Sequence, residues 1–478
     1  MFFKKYFGEK GFWRVALRLA IPVALQQLLI ASLSLVDTLM VSQLGDKQLA
    51  AMGMAGQWTM LFNVTLFGFC SASSMFVSQY FGAKDQKGIR RTCGLSLTCA
   101  FVLTTIFVAL QLIAPKFVIG LFTDDLTLST FGNAYLRIAI WSYPALFLSS
   151  VLSAVIRACG QVKMPMVVAG FTAGLNAFLN YVLIFGKCGF SALGIEGAAI
   201  ATVISAWFGP ALLLLFSILQ KHLLWYEPRE IFQFNGKDLL HYLKKSMPIV
   251  CNEGAWGLGT LVLGTILSNY DTAGYTAKTI LGTFENLSFV FAVGLCNAAC
   301  IMIGKSVGEG KTERAVMDAK RFAMLIPGYS AVLGVIMIIF RHSLVHIFNL
   351  QGNFDSSVLA LAATLMVIFA IEMPMRYTHY IQIVGIFRSG GDTTTGAVYD
   401  IFALWVMSIP TTLLCTAVFK LPFVWTYALM LIAEDHLKSV FCLRHFFSMK
   451  WIKPVTPEGK EGLAAWLAER KTKKQNSI

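Results

Sequence analysis

Residues 16–29 read ALRLAIPVALQQLL, and residues 242–256 read YLKKSMPIVCNEGAW. Each sets a proline inside an apolar run, Pro22 in the first and Pro248 in the second, an offset of 226. Carried along without a gap, the same offset pairs Ala51 with Ala277, Leu61 with Leu287, Gly68 with Gly294, Ala72 with Ala298 and Gly82 with Gly308. Coincidence does not hold one register over that length of apolar sequence. The chain encodes a helical half and then its copy. Duplicated halves of this kind build two bundles facing a central cavity, the plan of secondary transporters.

Of the 478 residues, 56% are hydrophobic and 13% charged, too few charges to cover a soluble domain. A bilayer is crossed by about 20 predominantly apolar residues. Twelve such stretches are legible, near 13–39, 50–78, 93–114, 132–157, 164–186, 194–219, 242–268, 276–303, 321–341, 358–387, 396–418 and 421–447. Backbone polar groups cannot stay unpaired in hydrocarbon, so each stretch is predicted to be a helix. The expected fold class is all-α and membrane-integral, with twelve transmembrane helices in two parallel-repeat six-helix bundles.

The net charge of +14 invites a nucleic-acid reading, but its placement argues for topology. With the N-terminus inside, one side collects Lys4, Lys5, Lys10, Arg14 and Arg18, then Lys84, Lys87, Arg90 and Arg91. The same side takes Lys221, Arg229, Lys237, Lys244 and Lys245, then Lys305, Lys311, Arg314, Lys320 and Arg321, and the tail from Lys450. The opposite loops hold little besides Lys47, Lys116, Lys187, Lys278 and Lys420, and one is acidic at Asp124–Asp125. This positive-inside pattern puts both termini in the cytoplasm of a multi-pass protein of the inner cell membrane. No nucleic-acid partner is expected; the partners are the lipid bilayer and a small molecule.

Ten cysteines fall almost entirely inside apolar segments, without a C-x-x-C, and read as small apolar helix residues. The N-terminal MFFKKYFGEKGFWR is basic and aromatic, and the helix after it has a repeat partner at 242–268, so it reads as part of the mature fold.

Later parts of the halves also correspond. Pro144 matches Pro374 at an offset of 230, and Arg157-Ala-Cys-Gly160 matches Arg388-Ser-Gly-Gly391 at 231. Six helices is an even number, so both halves enter from one side as parallel repeats. The expected division is an N-terminal lobe at 1–225, a cytoplasmic connector at 226–240, a C-terminal lobe at 241–450 and a basic cytoplasmic tail at 451–478. Pro22, Pro144, Pro248 and Pro374 are expected to bend helices that shape a cavity. Gly194-x-x-x-Ala198 and Gly197-x-x-x-Ala201 are spaced for close helix packing.

Several stretches resemble the multidrug and toxic compound extrusion (MATE) family. In the first half they are LVDTLMVSQLGDKQLAAMGMAG (35–56), MFVSQYFGAKD (75–85), LNYVLIFG (179–186) and ALGIEGAAIATVIS (192–205). In the second half MPIVCNEGAWGLGT (247–260), GLCNAACIMIGKSVGEG (294–310) and FRSGGDTTTG (387–396) resemble a bacterial branch of it. The resemblance implies two lobes of six helices each. It also implies export of cationic or amphipathic organic compounds, driven by inward flow of protons or sodium.

Carboxylates inside membrane helices are rare and costly, and therefore functional candidates. Asp37 is the sole acid of the first helix, and the resemblance assigns the coupling role to the acid of this VDT motif. Asn176 and Asn180 stand four apart, on one face of the fifth helix. With Thr202 on the sixth helix, they correspond to positions where similar proteins gather oxygens around that acid. Some members carry a second acid where this chain has Asn180, so a site built on paired acids does not transfer directly.

Glu253 lies near the middle of the seventh helix, and its repeat partner is Gln27. Glu253, with Asn252 and Gln27, is the expected cavity site for an organic cation, exchanged against a proton on the acid. Trp256 and Tyr275 are candidates for stacking on cationic aromatics. Glu372, Arg376 and His379 are spaced four and three apart on the tenth helix, on one face. They read either as a buried ion pair with a hydrogen-bonded histidine or as a proton relay through His379. Some relatives carry an acid where His379 stands, and their ion site in that half is not carried over. Glu285, Asp400, Glu434 and Asp435 are further acids in apolar segments without an assigned role. Apart from Arg137 and Arg376, few cations are expected in the helix interiors.

No G-x-S-x-G, H-E-x-x-H or Walker sequence is present, and no soluble segment is large enough to hold ATP. No enzyme activity and no cofactor is expected, and energy is expected from a proton or sodium gradient. The expected function is a monomeric antiporter that exports organic cations as its lobes rock about a central site. The alternative is a flippase for a lipid-linked saccharide, which calls for a basic cavity. A lipid-modifying membrane enzyme would need a clustered acid or histidine motif at a membrane face.

Overall fold

The computed structural model describes residues 10–122, 125–219, 228–347 and 355–475. Lys4, Lys5, Lys221, Asp124 and the first residues of the connector lie outside them, as does the side chain of Arg229. Among the described residues the secondary structure is helical, apart from one isolated bridge between Gly391 and Ile452.

Among the described residues, twelve long helices follow one another. They are α1 (Lys10–Ser42), α2 (Asp46–Gly82), α3 (Gln86–Ile113), α4 (Thr127–Ala158), α5 (Lys163–Phe185) and α6 (Gly194–Leu219). Then come α7 (Gly236–Tyr270), α8 (Thr272–Gly308), α9 (Thr312–His346), α10 (Ser356–Gly390), α11 (Thr393–Val418) and α12 (Phe423–Ser448). Eleven of them are long and apolar enough to cross a membrane. The expected twelfth, α12, falls short because Glu434, Asp435 and Lys438 crowd its middle. The helices also run several residues beyond the apolar stretches, because helical hydrogen bonding continues past the hydrocarbon boundary.

Aspartates outside the spans mostly begin helices. Asp85, Asp125, Asp271, Asp355 and Asp392 each accept a backbone N–H one turn on, which satisfies an orphan donor of the first turn. For exposed Asp125 these bonds, chiefly from Leu128 and Thr127, hold the carboxyl below its ordinary range. The acidic loop of the sequence is thus in part a helix cap.

The chain groups into two compact units. Unit 1 comprises Met1–Ala24, Ser78–Ala83 and Cys251–Ile478; unit 2 comprises Leu25–Val77 and Lys84–Val250. The division cuts α1 and α7 just after Pro22 and Pro248, at positions again 226 apart. Repeat-related glycines show why. In unit 2 a Cβ on Gly68 of α2 would lie 2.7 Å from the Val250 Cα of α7; in unit 1 a Cβ on Gly294 of α8 would lie 2.6 Å from the Ala20 carbonyl oxygen of α1. Each position must be glycine to admit the neighbouring backbone. Gly82 and Gly308 make the same reciprocal approach within unit 1, to the carbonyls of Lys305 and Gln79. Ala51, Ala277, Ala72 and Ala298 are fully buried.

Lipid-facing surface is legible on α9, where exposed Val332, Val335, Ile336, Ile339 and Phe340 recur at helical spacing. Each expected proline lies at a helix feature: Pro22, Pro248 and Pro374 inside helices, and Pro144 just after a 3-10 turn, Ile140–Ser142, in α4. All ten cysteines are free. The tail, expected as a polar appendage, contains a helix, α13 (Pro457–Gln475).

Candidate functional site

In unit 2 the fifth and sixth helices meet closely because Gly197 has no side chain: a Cβ there would stand 2.6 Å from the Leu183 carbonyl. That approach sets the buried face of α5, with Asn176 and Asn180, against Ser205 of α6. Asn180 Nδ2 donates to Asp37 Oδ1 (2.5 Å) and to Asn176 Oδ1 (3.0 Å). Asn176 Nδ2 donates in turn to Ser205 Oγ (3.1 Å). Asn176 is 3% exposed and Asn180 1%, so this is a core cluster and not a rim.

Thr202 turns its hydroxyl to the Ala198 carbonyl (2.9 Å). It is also joined by a residue the sequence reading missed. Tyr135 of α4 packs against the cluster of Val41, Ile184 and Ala198, with its phenol in the neighbourhood of Thr202 and Asp37. The Asn180 carboxamide oxygen, fully buried, has no hydrogen-bond partner. Together the Asp37 carboxylate, that oxygen and the Tyr135 hydroxyl make a set of oxygens with one negative charge. Such a set can accept a proton on Asp37 or coordinate one small monovalent cation.

Unit 1 carries a denser system. Arg388 Nη2 donates to Glu253 Oε1 at 2.7 Å. Neighbouring Asn252 donates to Asp400 Oδ2 (3.0 Å), and Lys438 Nζ bridges Asp400 (2.9 Å) and Glu434 (3.3 Å). Arg376 reaches Glu434 (3.4 Å) and Asp435 (3.1 Å), and His379 Nε2 lies 3.0 Å from Asp435. Burial makes every one of these partners necessary, since a lone charge in such an interior is strongly disfavoured. Three cations face four carboxylates, leaving one negative charge while His379 is neutral and none once it binds a proton.

This changes the sequence expectation for α10. Arg376 is not paired with Glu372 of its own helix: its carboxylates come from α12, and Glu372 lies 3.4 Å from His436. The supply of interior cations was also underestimated. Arg137 is exposed, whereas Arg388 (3% exposed) and Lys438 (2%) are buried. The signal for Lys438 was present, a lysine four residues after Glu434 inside an apolar run. Of the other expected residues, Trp256 is 42% exposed on α7, Tyr275 has Lys278 Nζ 6.0 Å from its ring centre, and Gln27 is half-buried in unit 2. Tyr427 donates to Glu285 (2.8 Å). A separate crevice of about 430 Å³ in unit 1, lined by Arg341, Thr364 and Trp425 among others, includes none of these groups. No cluster of three or more His, Cys, Asp or Glu suited to a metal ion occurs among the described residues.

Comparison with known proteins agrees with the motifs. The MatE family model matches residues 22–182 and 255–414. The chain is 24% identical over 446 residues to a protein of Thermotoga maritima named probable multidrug resistance protein NorM, covering 91% of this chain and 92% of that one. It is 28% identical over 419 residues to a protein of the same name from Rhizobium meliloti, covering 86% and 87%. The fold matches a crystal structure of the Vibrio cholerae MATE transporter VcmN in mutant form, with a TM-score of 0.82 at 18% identity, covering 93% of this chain and 100% of that one. Family model, relatives and fold agree across both halves: the chain belongs to the MatE family, the multidrug and toxic compound extrusion transporters its motifs resemble.

Proposed function

We propose that this protein is a monomeric secondary antiporter of the inner cell membrane, with both termini cytoplasmic, that exports cationic and amphipathic organic compounds in exchange for protons or sodium ions. The observation that carries the reading is Asp37, held by Asn180 in a buried cluster of amide and hydroxyl groups within membrane helices. An acid so placed has a cost that only a function repays. The names of the relatives, multidrug resistance proteins, support a drug-like cargo.

In this mechanism the coupling ion binds at Asp37, with Asn176, Asn180 and Thr202 fixing the oxygens around it. The organic cation engages Glu253, near Asn252, Trp256 and Tyr275, and competes there with Arg388. His379, hydrogen-bonded to Asp435 and flanked by Arg376, carries a proton that would balance the surrounding network. Antiport requires each ligand to bind the inward-open and outward-open forms with different affinity.

Ethidium transport in inverted vesicles tests the reading, with a pH gradient and a sodium gradient imposed separately. Uptake driven by one gradient identifies the ion; response to neither favours the lipid-linked saccharide flippase. Asp37→Asn should abolish gradient-driven uptake while leaving the amount of protein in the membrane unchanged. Full uptake in that variant removes Asp37 from the mechanism.

A further inference from the structure

Unit 1 carries an arginine that belongs to none of its ion pairs. Arg376, Arg388 and Lys438 are each matched by a carboxylate. Arg341 stands near the end of α9 that lies away from the basic loops. Among the described residues it has no carboxylate partner, and its Nη1 makes one long hydrogen bond, 3.4 Å, to the Ile338 carbonyl of its own helix. Few cations occur on that side of the chain, so an unpaired one there runs against the bias that placed the others.

Helix packing gives Arg341 its surroundings. Gly334 brings α9 against α10, since a Cβ there would stand 2.6 Å from the Ala370 carbonyl. Arg341 follows Gly334 by seven residues, two turns on along the same face. On α10, Thr364, Val367 and Ile368 precede Ala370, and spacings of three and four put them on one face. The crevice of about 430 Å³ opens there: that face of α10 is its floor, Arg341 stands on one wall, and Trp425 and Ala428 of α12 belong to the other. Thr364 and Trp425 are exposed, so it opens on the surface of unit 1.

Apart from Arg341 and Thr364, the lining is largely apolar. One cation at the edge of an apolar groove matches the polarity of a phospholipid. The apolar stripe of α9, from Val332 to Phe340, stops immediately before Arg341. Trp425, 62% exposed in the first turn of α12, stands where tryptophan marks the boundary between hydrocarbon and headgroups. A guanidinium fork takes a phosphate through two parallel N–H···O bonds. We propose that the crevice holds a glycerophospholipid, with its phosphate on Arg341 and one acyl chain along Val367, Ile368 and Ala428. The lipid is a resident of the bundle surface and not cargo, and the proposed topology puts it in the outer leaflet.

Titration of the delipidated full-length protein in detergent with dioleoyl phosphatidylglycerol, read by native mass spectrometry, tests the proposal. Wild type should bind one lipid saturably. Arg341→Gln should weaken that binding by about tenfold or more, and Arg341→Lys, which keeps the charge without the fork, by less. Ala428→Phe, which fills the groove from the α12 wall, should weaken it too. Dioleoylglycerol has the chains without the phosphate and should bind wild type and Arg341→Gln equally weakly. Equal affinity of wild type and Arg341→Gln for phosphatidylglycerol overturns the proposal, because Arg341 would then only extend its charge to water at the interface. Loss of both lipids in Arg341→Gln overturns it as well, since the crevice and not the phosphate contact would be gone. So does full competition by inorganic phosphate, which would make the occupant a free anion, or by ethidium, which would make the crevice a cargo site. The measurement needs no transport, so the lipid site stands or falls separately from the efflux reading.

Discussion

Glu253 and Arg388 show what a single pair contributes to this protein. Removing one partner of a buried ion pair costs about 3–5 kcal/mol, because the other charge is stranded, whereas replacing both is far milder. Glu253→Gln and Arg388→Gln should therefore each lower the melting temperature in detergent, and the double variant should be more stable than either single one. Strictly additive losses would mean that the 2.7 Å contact does not couple the two residues. All three variants should lose ethidium exchange if Glu253 holds the cation. At this scale the sequence was legible where a residue is unusual in its own helix: Asp37 is the sole acid of α1, and Asn176 and Asn180 share a face by spacing alone. It was not legible where meaning depends on another helix. Nothing in α10 announces that Arg376 turns to α12, and nothing in α4 announces that Tyr135 packs beside Val41 and Ala198, because such pairings are fixed by packing and leave no local period.

Between His379 and Arg388, α10 is not an α-helix: Ile381–Phe387 forms a π-helical segment. Such segments insert extra backbone into a helix and occur often at functional sites. This one separates the His379–Asp435 contact from the Arg388–Glu253 pair along the same helix. Deleting Val384 should let the segment close into α-turns and swing Arg388 by about 100° relative to His379. The expected result is a membrane-inserted protein without drug transport; wild-type transport would show that the register carries no function. Residue propensities do not distinguish a π-turn from an α-turn, so the segment was invisible in the sequence. The tail was also under-read, because it is polar in composition but tied by specific contacts. Trp451 is fully buried, the Lys453 amide donates to the Gly390 carbonyl (2.7 Å), and Lys453 Nζ reaches Asp392 (3.0 Å). Burial by itself would push the Asp392 carboxyl up, but hydrogen bonds from His445, Lys453 and Thr395 hold it down at about 2. A depressed carboxyl contributes stability that is fully present above its ordinary value near 4 and lost as the pH falls through about 2. The contribution, about 2 kcal/mol, is therefore constant between pH 5 and 8. Asp392→Asn should expose the segment around 450–456 to limited proteolysis across that whole range, while wild type stays protected. A variant that stays protected would remove Asp392 as the anchor.

Topology is the property of the whole molecule on which the direction of transport depends, and it turns on α12. Hydropathy alone leaves α12 in doubt because of its central charges, yet the structure accounts for each of them. Glu434, Asp435 and Lys438 are 7%, 0% and 2% exposed and are matched by Arg376, His379 and Asp400 on other helices. Charges turned inward and paired do not prevent a helix from spanning, so α12 completes an even number of crossings. On the proposed topology the two ends of the chain share the basic side. Exposed Cys188, in the loop between α5 and α6, should lie on the opposite side. In a Cys251→Ser background, which removes the other exposed thiol, a membrane-impermeant maleimide should label Cys188 in intact cells. A cysteine introduced by Glu458→Cys, at an exposed tail position, should react only after the membrane is permeabilised. Labelling of both from outside would mean that α12 does not cross. The reverse pattern would invert the whole chain, and the Asp37 cluster would then couple import instead of export.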